Sequence, residues 1–288
     1  MVDSRVSTRA PLRILCQSER GSCAACCGLY NFVDRSPGAV AARLRRRTDA
    51  VRAAWPDVDA LAAARDALLE QERPHLLFGA VKVCPFAGWV DEPGEDGDDG
   101  AHESGRVGCL LHPSRHPDGA DLRALAVYPR EVCAGHFCAP HDWLRPREMD
   151  LAATAAGLVY GRVVTDAGLV KAIARGLDER GGGPFAVGEV DAARAELATL
   201  WRVLLDGWPW VDDDPRRFGG FLCAGDEAIE RSLPSCLAGV DVEVAPWERT
   251  VLDTVGTRPL DIDAARAALA RLRSLVDDVL AAARGRPR

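Results

Sequence analysis

Residues 16–31 read CQSERGSCAACCGLYN and place four cysteines, Cys16, Cys23, Cys26 and Cys27, in one short segment. A single buried cysteine can serve as a small apolar side chain, but a group of neighbouring thiols is reactive and prone to incorrect pairing. Metal coordination accounts most directly for such a group. Cys23 and Cys26 form a CxxC pair, a spacing at which one backbone turn can direct two thiolates at one metal. Cys27, as the adjacent residue, is expected to meet a second metal, another edge of a cluster, or the core.

Four more cysteines follow in the first half of the chain. Cys84 lies in CPF, Cys109 lies in GCLLHP, and Cys133 and Cys138 are separated by four residues. Only folding can gather residues this far apart in sequence. We therefore expect a metal site whose candidate ligands are eight thiols, those of Cys16, Cys23, Cys26, Cys27, Cys84, Cys109, Cys133 and Cys138.

The combined motifs resemble a known family. The order and the flanking residues of four motifs are similar to those of the YkgJ-type cysteine-cluster family, whose domain is described as zinc- or iron-chelating. The motifs are CAACC at 23–27, CPF at Cys84, GCLLHP at Cys109 and CAGHFC at 133–138. The resemblance covers residues 16–143, under half of the chain. The combined motif is far more specific than any one of its pieces.

The resemblance implies metal binding, with a biochemical role that is otherwise poorly defined. Relatives in the family include the flagellin lysine N-methylase, which carries an iron–sulfur cluster, so the resemblance implies that a cluster is possible here. The family pattern usually has Arg after the penultimate cysteine and Pro before the last one, where this chain has Ala134 and Phe137. A role for that arginine is therefore not carried over.

The residues leave the metal open. Zinc prefers four thiolate or imidazole ligands, and eight cysteines could fill two such sites, with Cys138 and His141 as a further pair. A [4Fe-4S] cluster needs four thiolates on a glycine-bearing framework. Thiols without metal are the third alternative. His112 is expected to be a turn residue or to support a ligand without binding the metal. His136 and His141 lie beside candidate ligands and could contact the metal or a sulfur.

Composition limits the partners. The 288 residues include 36 basic and 43 acidic ones, and the net charge of -7 offers no broad attraction for nucleic acid or anionic lipid. The sequence MVDSRVSTRAPLRIL has no apolar run typical of a signal peptide, and no later run reaches about 18 apolar residues. We expect a cytoplasmic protein with no nucleic-acid or membrane partner.

A protein partner is possible but unidentified. Ten cysteines in a reducing compartment favour metal or redox chemistry over disulfides.

The rest of the chain predicts a mainly α-helical fold. Ser36 and Pro37 are typical of an N-cap and first helical turn, and this helix should end at Trp55-Pro56 with the RLRRR run of 43–47 on its surface. Asp57 can cap a second helix to about Glu72. From Asp261 to Gly285 apolar residues recur three and four apart, which predicts a long final helix.

The second half gives less regular signals before that final helix. Residues 149–177 predict one or two helices, interrupted near Gly161 or Gly168. Asp191 is a candidate cap for a helix that ends near Gly207. A short strand is expected within VDVEVAPW, the segment that ends at Trp247.

The domain organisation follows from these elements. Residues 1–13 are expected to form a flexible tail, and 14–146 an irregular cysteine-rich metal-binding region with a few short strands. The acidic, glycine-rich segment 91–105 should be a surface loop. Residues 147–288 are expected to form a mainly helical region that packs with the front half and can belong to the same domain.

The favoured function is that of a metal-binding module, and no phosphate-binding loop, zinc-protease or serine-hydrolase motif adds an enzymatic signature. Two alternatives remain: an iron–sulfur-dependent enzyme related to the flagellin lysine N-methylase, and a metal-free thiol redox sensor. Cys223 and Cys236 lie among glycine and leucine and are expected to be buried thiols.

Overall fold

The described part of the chain consists mainly of α-helices, as the sequence predicts. The computed structural model describes residues 15, 23–91, 105–116, 118–135, 138, 140–207, 221–224, 228–231, 235–256 and 258–285, with only the backbone of 221–224 and 228–231. The helices in chain order are α1 (Pro37–Ala54), α2 (Val58–Glu72), α3 (Arg130–Gly135), α4 (Pro140–Trp143), α5 (Pro146–Ala152), α6 (Gly157–Thr165), α7 (Ala167–Gly181), α8 (Val187–Ala192), α9 (Arg194–Leu205), α10 (Pro246–Val255) and α11 (Ile262–Ala283).

Two small antiparallel hairpins complete the regular structure of the described residues. Strands β1 (Ala87–Asp91) and β2 (Arg106–Cys109) pair in the cysteine-rich half. Strands β3 (Phe221–Ala224) and β4 (Ala228–Arg231) pair in the second half. The sequence predicts short strands in the cysteine-rich half but not at β3 and β4.

The caps read from the sequence define the first two helices. The Ser36 hydroxyl accepts a hydrogen bond of 3.4 Å from Ala39 N–H at the start of α1. The Asp57 carboxylate accepts bonds of 2.8 and 2.9 Å from the N–H groups of Asp59 and Ala60 at the start of α2. Each bond satisfies an amide that has no partner within its helix, so both predicted starts are confirmed.

The expectation that the RLRRR run forms a helix surface is wrong for two of its arginines. Arg47 is fully buried, and its guanidinium binds the Glu72 carboxylate through bonds of 2.8 and 2.6 Å and the Ala87 carbonyl at 3.3 Å. Arg43 lies 3.5 Å above the Phe32 ring, and burial lowers its pKa to about 10. Buried arginine is stable only when such groups satisfy its charge and donors, and sequence periodicity does not reveal them.

The apolar core has three clusters. The largest lies almost wholly in the helical half and includes helices α6, α7, α9 and α11. Two smaller clusters lie in the front half, one around Leu44 and Trp89 and one around Leu61, Phe86 and Leu111. Contacts of α6 with α1 and β2 join the two halves. The expected region boundary near residue 146 coincides with the start of α5 and stays a prediction.

Several expectations for the second half need correction. Residues 149–177 cover parts of three helices, α5, α6 and α7. The third begins after Asp166, whose side chain accepts a bond of 2.9 Å from Leu169 N–H. Gly161 does not interrupt a helix but lies within α6. The break at Asp166 lies near Gly168, the other position predicted for an interruption. Asp191 lies inside α8, so it is not the cap of α9. The described residues 240–245, where the sequence predicts a short strand, form none. The final helix is confirmed as α11, with Asp261 as its N-cap.

Some expectations fall outside the described residues: the tail at 1–13 and nearly all of the acidic loop at 91–105. Among the helices that are described, none is both long and apolar enough to cross a membrane.

Replacing Arg47 with Met should lower the free energy of unfolding by about 3–5 kcal/mol, because Glu72 would remain buried without its main cationic partner. Urea denaturation measures this change. The matched control is Arg52→Met, which removes an exposed pair with Asp49 and should cost less than about 1 kcal/mol. Equal losses in the two variants would contradict the role given to the buried pair.

Candidate metal centre

A tight turn at 23–30 carries three of the candidate ligands. It closes through hydrogen bonds of 3.1 and 3.3 Å from the N–H groups of Cys27 and Leu29 to the Ala24 carbonyl. Gly28 follows with a φ of 76°, in the left-handed region that favours glycine. The turn therefore requires glycine directly after its last cysteine.

The turn lies against the segment that carries Cys84. A Cβ atom on Gly28 would stand 2.8 Å from the Lys82 carbonyl oxygen and 2.9 Å from Val83 Cγ2, so the two backbones are too close for any other residue. The Cys84 N–H group donates a bond of 2.8 Å to the Cys27 carbonyl. These contacts bring the backbones of Cys27 and Cys84 side by side.

The first hairpin adds Cys109. In the register of β1 and β2, Ala87 lies opposite Cys109. Just beyond the paired strands, Leu110 N–H donates a bond of 2.9 Å to the Phe86 carbonyl. Cys84 lies just before β1 and Cys109 ends β2, so strand pairing brings the two cysteines to the same end of the hairpin.

Short helices carry the last two candidate ligands. Cys133 lies in α3, and its carbonyl accepts a bond of 3.3 Å from Arg123 Nη1. Cys138 precedes α4, and its carbonyl accepts a bond of 2.9 Å from His141 N–H. Each cysteine is thus held through its own backbone.

Six of the eight candidate ligands lie near enough to interact electrostatically. Cys26 interacts with Cys27, Cys84, Cys133 and Cys138. Cys109 interacts with Cys27, Cys84 and Cys133. We call this group the thiol cluster: Cys26, Cys27, Cys84, Cys109, Cys133 and Cys138.

Burial raises the pKa of five cluster thiols and so favours their protonated form when no metal is bound: Cys27, Cys84, Cys109, Cys133 and Cys138. It is the main cause that raises the pKa of Cys109 to about 12. It is also the main cause of the raised pKa values of Cys84, Cys133 and Cys138. The pKa of Cys27 is raised first by a hydrogen bond with Cys26 and then by burial. Neighbouring thiols raise these values further, because thiolates repel one another.

Backbone amides oppose this effect at three sulfurs, those of Cys84, Cys109 and Cys138, and the N–H group of His141 is one that acts at Cys138. The N–H groups of Phe86 and Val127 are directed at the Cys84 sulfur, and that of Leu111 at the Cys109 sulfur. Each lowers the pKa of the thiol it faces, because it stabilises the thiolate. Amide groups directed at sulfur are a feature of thiolate-ligated metal sites.

Sequence reasoning missed the charged residues beside the cluster. Arg123 interacts with the sulfurs of Cys109 and Cys133, and Asp121 and Arg130 form ion pairs around it. Tyr128, whose hydroxyl donates a bond of 3.3 Å to the Lys82 carbonyl, also interacts with four cluster thiols. None belongs to a cysteine motif, so only folding identifies them.

Cys23 is directed elsewhere. Its thiol lies 3.8 Å from the Gly161 carbonyl oxygen in α6, within the large apolar cluster of the helical half. The neighbours Cys26 and Cys27, and not the CxxC spacing, therefore supply the turn's part of the thiol cluster. A metal role for Cys23 stays a prediction. Cys16 lies outside the described residues.

The three histidines near the cysteine motifs have different surroundings. His112 behaves as the expected turn residue, because its Nδ1 accepts a bond of 3.2 Å from Ser114 N–H and caps a short 3₁₀ turn. His141 lies in α4 beside Cys138, and burial lowers its pKa. His136 lies outside the described residues.

The cysteines expected to be buried thiols lie in the second half. Cys236 is 3% exposed, and burial, with a contribution from Asp253, raises its pKa to about 12. That expectation is confirmed. The side chain of Cys223 is outside the described part of the chain.

No three His, Cys, Asp or Glu side chains within the described residues already stand in an arrangement that could hold a metal ion. The described cysteine side chains form no disulfide with one another. The thiol cluster is thus a gathered set of reduced thiols and not a ready-made coordination site.

Comparison with known proteins adds no relative. The chain matches no family model, and no curated protein or solved structure is significantly similar to it. The resemblance to the YkgJ-type family therefore stays a prediction that rests on the cysteine motifs.

Replacing Gly28 with Ala should destabilise the chain more than replacing Gly239, which has the same φ of 76° but has no atom within 4 Å of an added Cβ. Both variants bear the left-handed strain of about 1–2 kcal/mol. Gly28→Ala should lose about 1–3 kcal/mol more, because it pushes against Lys82 and Val83. Urea denaturation compares the two, and equal losses would show that the close approach is not required.

Proposed function

We propose that the protein binds a thiolate-ligated metal, either zinc or a [4Fe-4S] cluster, through the thiol cluster. The observation that carries the proposal is the backbone geometry that brings cysteines of separate segments together. The Cys84 N–H group bonds to the Cys27 carbonyl at 2.8 Å, and Cys109 lies opposite Ala87 at the same end of the hairpin. A small apolar core needs no such concentration of sulfur, whereas zinc and iron–sulfur sites are built from cysteines of this kind.

The donor chemistry fits these metals. Thiolates are soft ligands that select zinc and iron–sulfur clusters over magnesium or calcium. Amides directed at Cys84 and Cys109, and the cation of Arg123, favour the thiolate form that a metal requires. Bound metal would supply the positive charge that removes the repulsion between neighbouring sulfurs.

Binding must involve movement of side chains. Zinc–sulfur bonds are about 2.3 Å long, and the described thiols form no set that could already hold an ion. The backbone contacts of Cys27 and Cys84 can persist while the side chains rotate, because those contacts involve only N–H and carbonyl groups. We therefore expect metal binding to order a preassembled backbone site.

The proposal includes a cytoplasmic location, since eight reduced cysteines suit a reducing compartment. An iron–sulfur-dependent enzyme is compatible with the same thiols but needs a substrate site of its own. A thiol redox sensor is favoured by one observation, the direct contact of Cys27 with the exposed thiol of Cys26. It would use the same residues to form reversible disulfides.

The deciding experiment is elemental analysis with an absorption spectrum of protein purified without oxygen. We expect about one metal site per chain or more. A broad visible band with iron and sulfide selects the cluster, and a colourless protein with zinc selects zinc. Metal-free protein that cannot be loaded with zinc or reconstituted with iron and sulfide would refute the proposal, and reversible thiol oxidation in that sample would select the sensor.

Single cysteine variants identify the ligands. Cys84→Ser and Cys109→Ser should lose at least half of the bound metal, because each removes a thiol in the centre of the cluster. Cys23→Ser should retain it, because that thiol lies at Gly161. Cys236→Ser is the control for loss of a buried thiol outside the cluster. Equal metal content in all four variants would contradict the assignment.

Metal affinity should rise with pH. The raised pKa values keep the thiols protonated, and a metal binds only the thiolate, so each ligand must release a proton. The apparent zinc affinity should increase by up to about tenfold per pH unit for each proton released. Chelator competition at several pH values, with proton release recorded in weak buffer, measures this. An affinity that does not change from neutral to alkaline pH would contradict it.

A further inference from the structure

Arg123 is held beside the thiol cluster by bonds to a carboxylate and to a backbone carbonyl. Its Nε and Nη2 atoms donate bonds of 2.8 Å each to the two carboxylate oxygens of Asp121. Its Nη1 atom donates a bond of 3.3 Å to the Cys133 carbonyl. The Arg123 and Asp121 side chains are only 13% and 16% exposed, so this geometry is enclosed and not a loose surface pair.

The carboxylate that binds Arg123 also binds a second arginine. Asp121 also accepts a bond of 3.0 Å from Arg130 Nε, so one carboxylate serves two guanidinium groups. Arg123 interacts with the sulfurs of Cys109 and Cys133, which belong to different segments. A cation is thus fixed at one edge of the thiol cluster in a chain whose net charge is -7.

We propose that Arg123 is a positioning residue of the thiol cluster, which holds the Cys133 backbone near Cys109 and offsets the negative charge that bound thiolates retain. The inference rests on the proposed metal-binding function. A divalent ion with four thiolates keeps an excess of about two negative charges, and a fixed guanidinium lowers the cost of enclosing that charge.

The geometry explains why arginine is needed. Two parallel bonds to Asp121 and a third to a carbonyl require the planar, five-donor guanidinium. Lysine can supply the charge but not the three-way connection. The charge and the positioning can therefore be separated by substitution.

The test compares Arg123→Gln, Arg123→Lys and Arg147→Gln with the native chain. Arg147 is the matched control, because it also binds both oxygens of an aspartate, Asp178 at 2.8 and 2.9 Å, and a carbonyl, that of Phe185 at 3.5 Å. It lies in α5 of the helical half. Zn²⁺ affinity is measured by chelator competition, and thiolate-to-metal absorption with Co²⁺ reports the number of sulfur ligands.

We expect Arg123→Gln to weaken Zn²⁺ binding by about tenfold or more and to reduce the Co²⁺–thiolate band. Arg123→Lys should recover part of the affinity, and Arg147→Gln should stay within about twofold of the native chain, the range expected where no metal contact is changed. Urea denaturation of the metal-free variants checks that Arg123→Gln and Arg147→Gln lose similar stability.

Two results would overturn the inference while leaving metal binding intact: native affinity and a native Co²⁺ spectrum in Arg123→Gln, or equal losses in Arg123→Gln and Arg147→Gln. Absence of Zn²⁺ and Co²⁺ binding, with no iron–sulfur cluster, in the native chain would refute the proposed function itself. Metal binding by the native chain therefore distinguishes failure of the Arg123 inference from failure of the proposed function. If the native chain carries an iron–sulfur cluster, the rate of iron loss to a chelator replaces Zn²⁺ affinity in the same comparison.

Discussion

The close approach of Gly28 to Lys82 and Val83 is the constraint on which the cysteine-rich half depends. No side chain fits between these backbones, and the bond from Cys84 N–H to the Cys27 carbonyl closes the contact. The contact joins the first turn to the segment that enters β1. All further gathering of thiols, by the hairpin and by α3, takes place around that junction.

A buried ion pair, Arg47 with Glu72, also fixes the arrangement of the cysteine-rich half. Arg47 and Glu72 connect α1, α2 and the Ala87 carbonyl at the start of β1. Buried ion pairs add little net stability compared with an apolar replacement, but losing one partner is costly. This pair therefore restricts how the two helices can lie against the hairpin, and the positions of Cys84 and Cys109 follow from that arrangement.

The thiol cluster combines two opposing effects. Burial and mutual repulsion favour protonated thiols, whereas directed amides and Arg123 favour thiolates. A site of this kind is stable as a set of thiols and can become a set of ligands when a metal displaces the protons. Cys236 provides the contrast, because it is as buried as Cys84 but no described thiol is among the groups that raise its pKa.

The sequence by itself determined the helix starts at Ser36, Asp57 and Asp261, because a cap acts on amides only a few residues away. It also singled out the cysteines. Only the tertiary structure decided which of the eight gather and which charges are buried with them. Cys23 and Cys26 are close in sequence but project to different halves. Arg47 pairs with Glu72, and Arg123 bonds to the Cys133 carbonyl, neither of which periodicity predicts. These side-chain positions depend on contacts between segments that are distant in sequence, and local sequence patterns do not predict such contacts.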